Sequence, residues 1–242
     1  MRPILDSLLE YLEGSPTAAH TGSISADILD KGGFARLEPG DHWKTVPGGR
    51  YYTMYSRSTL AAFILGGSPP SESGFRIIGA HTDAPGLFLK SEPYFYKEGL
   101  ATLGIEVYGG PLLTTWFDRD LGLAGKAVGT DGTVALYSIR EPILRIPSPA
   151  IHLNREVNRK GFRANPETEI HPVFSTVDEY PALRSLVAGA AGMKPEEMAF
   201  FSGELVSLEK PVLAGINREF LVASRIDDVA SCHAALQALV RV

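Results

Sequence analysis

A chain of 242 residues with 44% apolar and 21% charged side chains has globular composition, enough for one large domain or two ordinary ones. Lys and Arg number 23 against 28 Asp and Glu, a net charge of −5 with no basic cluster, which argues against a nucleic-acid partner. The lone Cys232 excludes an intrachain disulfide, no apolar run approaches the roughly 18 residues of a membrane span, and Asp6 and Glu10 interrupt what would be a signal peptide, so a cytoplasmic protein is expected.

In chain order, Ile4, Leu5, Leu8, Leu9 and Leu12 share one helical face and predict a first helix ending at Gly14. Ser15 or Thr17 is placed to cap a second helix, with Ile24, Ile28 and Leu29 on its core face and Gly32-Gly33 stopping it. Arg50–Ser56, Thr59–Leu65 and Phe75–His81 read as strands, the first two joined as a hairpin. Helices followed by strands open a layered α/β or α+β fold. Beyond Pro93 the texture becomes short and turn-rich: Gly104–Tyr108, Leu121–Gly129, Thr133–Ile139 and Ile143–Ile146 read as strands, with Asp131-Gly132 as a hairpin turn. One helix is expected around Leu183–Ala191, and Pro195-Glu196-Glu197 reads as the first turn of another. Phe220–Ala223 is then a short strand and Val229–Val240 an apolar helix. The pattern divides the chain into a first domain, 1–92 with 218–242, and an inserted β-rich domain, 93–217.

The strongest chemical signal is Gly79-Ala80-His81-Thr82-Asp83. Side chains two apart on a strand point the same way, so His81 and Asp83 can face one cleft. An imidazole beside a carboxylate suits a zinc ligand whose other ring nitrogen is held by an acid; it equally suits a strand-end histidine beside a turn-forming aspartate. Asp227-Asp228, between a strand and a helix, fits either a cation-bridging carboxylate or the acidic start of a helix. Strand ends of one layered sheet converge on one crevice, which strengthens the first alternative without deciding between the two. Trp116-Phe117-Asp118-Arg119-Asp120 reads foremost as a hairpin edge with an Asp–Arg ion pair. His152 alternates with apolar residues and reads as a strand histidine making a structural hydrogen bond, whereas His20, His42, His171 and His233 have no supporting spacing. Nucleotide and serine-hydrolase signatures are absent.

Taken together, the segments resemble the aspartyl aminopeptidase family, peptidase family M18, among the dinuclear zinc aminopeptidases. The matching pieces run in family order: Ser15-Pro16-Thr17 with His20, Gly79–Asp83, Val107-Tyr108-Gly109-Gly110, Thr115–Leu121, Ala150–Arg155, and Arg225–Asp228 with Ser231-Cys232-His233. The resemblance implies an α/β, three-layer zinc-peptidase domain interrupted by a β-rich oligomerisation domain. It implies that His81 is a ligand to one zinc, that Asp83 is the catalytic-site carboxylate orienting it, and that Asp227 bridges two metals. Asp228 stands where relatives usually carry Asn, and the 227–228 bond is expected to be cis. His152 matches a substrate-binding histidine that reaches a neighbouring subunit's active site. The implied cofactor is Zn²⁺, two per complete site, with Mn²⁺ or Co²⁺ as alternatives. The implied partners are peptide substrates and further copies in a twelve-subunit homo-oligomer, or a second chain completing the site.

The same resemblance implies a shortfall. The family's Glu-Glu pair, a further acidic ligand and a final histidine ligand lie beyond the part that this sequence matches. A catalytic zinc takes about three protein ligands and a water, and His81 and Asp227 are two. The 242 residues alone are therefore expected to be inactive. The alternative from another class is a non-catalytic oligomerisation or regulatory module derived from such a peptidase.

Overall fold

The structure, a computed structural model, describes residues 2–178 and 180–242. The chain opens with α1 (Arg2–Glu13), α2 (Ala18–Lys31), β1 (Ala35–Arg36), β2 (Arg50–Tyr55), β3 (Thr59–Ile64) and the single turn α3 (Pro70–Ser73). It continues through β4 (Gly86–Lys97), β5 (Leu100–Tyr108), β6 (Leu121–Gly129), β7 (Val134–Leu144), α4 (Val157–Lys160), β8 (Val173–Ser175), α5 (Tyr180–Ala190) and β9 (Met198–Ser207). It closes with β10 (Val212–Ala214), β11 (Phe220–Val222) and α6 (Ile226–Val240). Two compact units result, residues 1–84 with 209–242, and residues 85–208. They part before β4 and after β9, earlier at both ends than the texture change places them, because Gly86–Lys97 is one continuous strand through Pro93. Mixed helices and sheets make the chain an α/β protein.

In the first unit, Thr17 caps α2 as its spacing predicts: its hydroxyl accepts from the His20 amide at 3.3 Å, satisfying a helix-start donor. Gly33, at φ 78°, turns the chain out of α2, and the Phe34 amide donates back to the Leu29 carbonyl at 3.0 Å. β1, β2 and β3 form a sheet in that order, β1 parallel to β2 and β2 antiparallel to β3. Tyr11, Leu12, Leu29, Tyr52, Val229 and Leu236, from both long helix layers and the sheet, form its buried core. Gly22 permits the closest packing: a Cβ there would lie 2.1 Å from the Arg57 carbonyl oxygen in the β2–β3 turn.

The second unit is one six-stranded sheet, β7-β6-β9-β4-β5-β8, antiparallel throughout. Its core joins Leu87, Leu103, Leu121, Leu123, Ile139 and Leu205, with Leu183 and Val187 of α5 packed in. The Asp131-Gly132 turn links β6 to β7 as predicted, with Gly132 at φ 84°. Thr133–Ile139 and Ile143–Ile146 are largely one strand, β7, which runs through Pro142 because it lies at the sheet's edge.

Three expectations are corrected. Phe75–His81 is not a strand; it is unpaired, with Phe75, Ile77 and Ile78 exposed. Ile151–Leu153 forms a turn closed by the Leu153 amide on the Ala150 carbonyl at 2.8 Å, so His152 is not on a strand. Pro195–Glu197 is a turn and does not start a helix. The expected Asp–Arg ion pair of the Trp116–Asp120 segment joins Asp120 to Arg145 at 2.8 Å across the sheet edge, and Asp118 accepts from the Ser148 amide at 3.0 Å.

Candidate metal centre

Asp227 and Asp228 enter at the start of α6, where the helix is not yet regular: Asp227 has φ −86°, ψ 109° and Asp228 φ −122°, ψ 19°. The bond between them is cis, as the resemblance implies, and Arg225 before them is left-handed at φ 61°. Arg225 donates to the Ser15 carbonyl at 3.3 Å, tying this turn to the chain that leads into α2. Once regular, α6 sets Ser231 one turn after Asp228, and the Ser231 hydroxyl donates to the Asp228 carboxylate.

His81 reaches this turn from the unpaired segment. Its backbone amide donates to Asp228 Oδ2 at 3.2 Å, and its carbonyl accepts from Cys232 Sγ at 3.2 Å. Thr82 Oγ1 donates to the Ser58 carbonyl at 2.9 Å, fixing the other flank. Each end of the His81 peptide is therefore held by α6.

The imidazole geometry follows. Nδ1 lies 3.0 Å from the Asp83 backbone carbonyl, and 3.4 Å from Asp83 Oδ1. A carbonyl only accepts, so the proton sits on Nδ1 and the Nε2 lone pair is free. That lone pair faces Asp227 Oδ1 at 3.2 Å. Two electron-pair donors at this distance repel unless a proton or a cation lies between them. Two ligands bound at about 2.0–2.1 Å to a tetrahedral ion stand roughly 3.3 Å apart, so the observed spacing fits a shared metal. The hydrogen bond to the Asp83 carbonyl, and secondarily the charges of Asp228, Asp83 and Asp227, raise the His81 pKa above its ordinary value. Its hydrogen bond from Ser231 foremost holds the Asp228 carboxyl below the usual range.

His81, Asp83, Asp227 and Asp228 thus meet at one point of the first unit. His152 lies in the second unit, in an exposed turn. Among the described residues, no three His, Cys, Asp or Glu side chains form a set that could hold a metal ion. Composition and spacing did not point to Cys232, Ser231, Thr82 or Arg225 as supports. The helical offset of three from Asp228 to Ser231 was a signal that could have found one of them.

The comparisons with known proteins agree with a zinc-peptidase architecture. The family model described as "Aminopeptidase I zinc metalloprotease (M18)" matches residues 11–242, and the chain belongs to this family. A "Probable M18 family aminopeptidase 2" of Pseudomonas entomophila (strain L48) is 40% identical over 249 residues, covering 99% of this chain and 58% of the relative. The chain superposes on the structure titled "Cryo-EM structure of the Ape4 and Nbr1 complex" with a TM-score of 0.93 at 32% identity, covering 99% of this chain and 50% of that one. The S. cerevisiae mApe1 dodecamer gives a TM-score of 0.82 at 30% identity, over 98% of this chain and 55% of that one. The chain therefore spans little more than half the length of the curated relatives it matches.

Proposed function

We propose that this chain contributes the first half of the metal centre of an M18-type aminopeptidase, which releases N-terminal residues from peptides. The carrying observation is the His81 Nε2 to Asp227 Oδ1 separation of 3.2 Å, with the Nδ1 proton committed to Asp83. In this reading His81 ligates one cation and Asp227 bridges two. Zinc, when bound, supplies Lewis-acid polarisation of the scissile carbonyl and a water acidic enough to attack at neutral pH. The family description supports zinc over manganese or cobalt.

The chain's own residues do the positioning. Asp83 fixes the His81 tautomer, Asp228 holds the His81 backbone, and Ser231 orients Asp228. Two ligands make a partial set, so the 242 residues alone do not turn over substrate in this proposal. We further read the β-rich unit as the oligomerisation domain and His152 as its substrate-contacting residue; that the similar mApe1 is a dodecamer supports a homo-oligomer. Cytoplasmic residence is supported by the buried, unbridged Cys232 thiol.

Calorimetric titration of the purified chain with Zn²⁺ tests the centre. Weak binding is expected, lost in His81→Ala and Asp227→Ala. It is expected to change little in Asp83→Ala, which keeps the backbone carbonyl that accepts from Nδ1 at 3.0 Å. Zinc binding that survives both His81→Ala and Asp227→Ala overturns the metal reading. Hydrolysis of an aspartyl nitroanilide by the chain alone, with Zn²⁺, Mn²⁺ or Co²⁺, overturns the partial-set reading. The continuous six-stranded sheet of the second unit favours the module alternative, for which metal-free oligomers indifferent to His81→Ala are the diagnostic result.

A further inference from the structure

The first unit also carries a polar cavity of about 400 Å³ between α2 and the β1 edge, lined by residues other than those assigned to the metal centre. Its geometry follows from local structure. Asp27 and Asp30 stand three apart on α2, so their carboxylates share one face of the helix. β1 runs parallel to β2 with Arg36 level with Tyr52, so both side chains rise from the same face of the sheet. The Tyr52 phenol, in a residue only 1% exposed, donates to Asp30 Oδ1 at 2.8 Å, which makes that face the one beneath α2. Arg57, in the turn after β2, also lines the cavity.

Charges of both signs therefore face one space without closing on each other. Among the described residues, Arg36 pairs with neither aspartate, its two Nη nitrogens make no hydrogen bond, and its Nε faces Glu38 Oε1 at 2.9 Å. Among the same residues Asp27 forms no ion pair, and Asp30 Oδ2 has no partner. Burial foremost, with the Asp30 hydrogen bond next, pushes the Tyr52 phenol up to about 12, so it stays a donor and fixes the Asp30 carboxylate in place.

We propose that this cavity binds a small zwitterion, a free α-amino acid, with its ammonium on Asp27 and Asp30 and its carboxylate on the Arg36 Nη pair. A lone anion would be repelled by the two carboxylates, and a lone cation by Arg36 and Arg57. An apolar ligand would cover Asp27 and Arg36 without pairing them. A zwitterion answers both signs at once, and the two terminal nitrogens of a guanidinium match the two oxygens of a carboxylate. The volume falls in the small-molecule class of about 300–1,000 Å³, ample for one amino acid and too small for a folded partner. Free amino acids are what the aminopeptidase reading above would release, so the site is placed to sense product. That role rests on that reading, whereas binding rests on the cavity alone.

The test titrates the whole 242-residue chain with L-alanine and follows its amide resonances. It is run in EDTA, so failure here leaves the metal reading standing, and failure of zinc binding leaves this one. Alanine is expected to shift the amides of Asp27, Asp30 and Arg36, with a Kd of about 1 mM. N-acetylalanine, which lacks the ammonium, and alaninamide, which lacks the carboxylate, should each bind about tenfold more weakly. Asp27→Asn and Arg36→Gln, both at exposed positions, should weaken alanine binding by about the same factor, with thermal melting unchanged. Glu38→Gln removes the neighbouring ion pair but keeps the cavity charges, and should leave binding unchanged, which separates a lost ligand contact from a loosened β1. Four results overturn the proposal: alanine shifts no amide of α2 or β1; both derivatives bind as tightly as alanine; neither Asp27→Asn nor Arg36→Gln changes the affinity; or Mg²⁺ alone shifts those amides and alanine does not, which makes the cavity a cation site.

Discussion

The two units use similar sequence material to different ends. In residues 85–208 every strand of β4–β9 finds a partner, and the apolar alternation of β6 is buried between β7 and β9. In the unit that carries His81, the run Phe75–Ile78 is as apolar as any of these strands, yet it stays unpaired and exposed. Hydrophobic patterning reports the demand for burial, whereas a strand forms only where a partner edge is present.

Paired substitutions give the sharpest break of this comparison. Leu103→Ala, at a fully buried position of β5, is expected to cost about 3 kcal/mol of unfolding free energy. Ile77→Ala, at 86% exposure, should change stability by less than about 0.5 kcal/mol. Urea unfolding of the whole chain measures both; a cost for Ile77→Ala near that of Leu103→Ala would mean the segment sits in a core. Glycines extend the contrast inside one unit. Gly22→Ala drives a methyl into the Arg57 carbonyl at 2.1 Å and should cost about 1–3 kcal/mol. Gly79→Ala meets no atom within 4 Å and should be close to neutral. Removing the α2 cap with Thr17→Ala should cost about 1 kcal/mol, with Thr17→Ser recovering most of it.

What was legible in the sequence follows the same division. α1, α2, β2, β3 and α6 were readable because their periodicity and caps are local, and the β6–β7 turn because Asp-Gly tolerates the backbone it needs. β4 and β9 were not singled out: Pro93 sits at a register shift between Leu89 and Tyr94, and Gly203 interrupts the apolar run of β9. Conversely, Phe75–His81 has the pattern of a strand without the neighbour that would make it one. At the site, the residues 81, 83 and 227 came from motif and resemblance, and their convergence is visible only in three dimensions. The hydrogen bonds from Cys232 and Thr82 depend on contacts between residues distant in sequence, which periodicity does not encode.

The smallest expected effect concerns pH and His20. Burial foremost, with Arg225 nearby, lowers the His20 pKa from 6.5 to about 4 in the folded chain. Between those values the unfolded chain takes up a proton that the folded one refuses, so more protons are bound in the unfolded state and stability rises with pH. The contribution is complete above pH 6.5 and drains away as pH falls toward 4, with no further loss from this group below that. His20 is only partly enclosed, so solvent screening makes the slope shallow. His81 pulls the other way, because its pKa is raised, and the lowered pKa of His233 pulls the same way. The difference between the unmodified chain and His20→Gln isolates the term: the unmodified chain should lose more stability from pH 7 to pH 5 than the variant does. Equal slopes would mean that His20 is solvated in solution, and that the Ser15–Thr17 turn packs less tightly against Arg225 than its 3.3 Å hydrogen bond indicates.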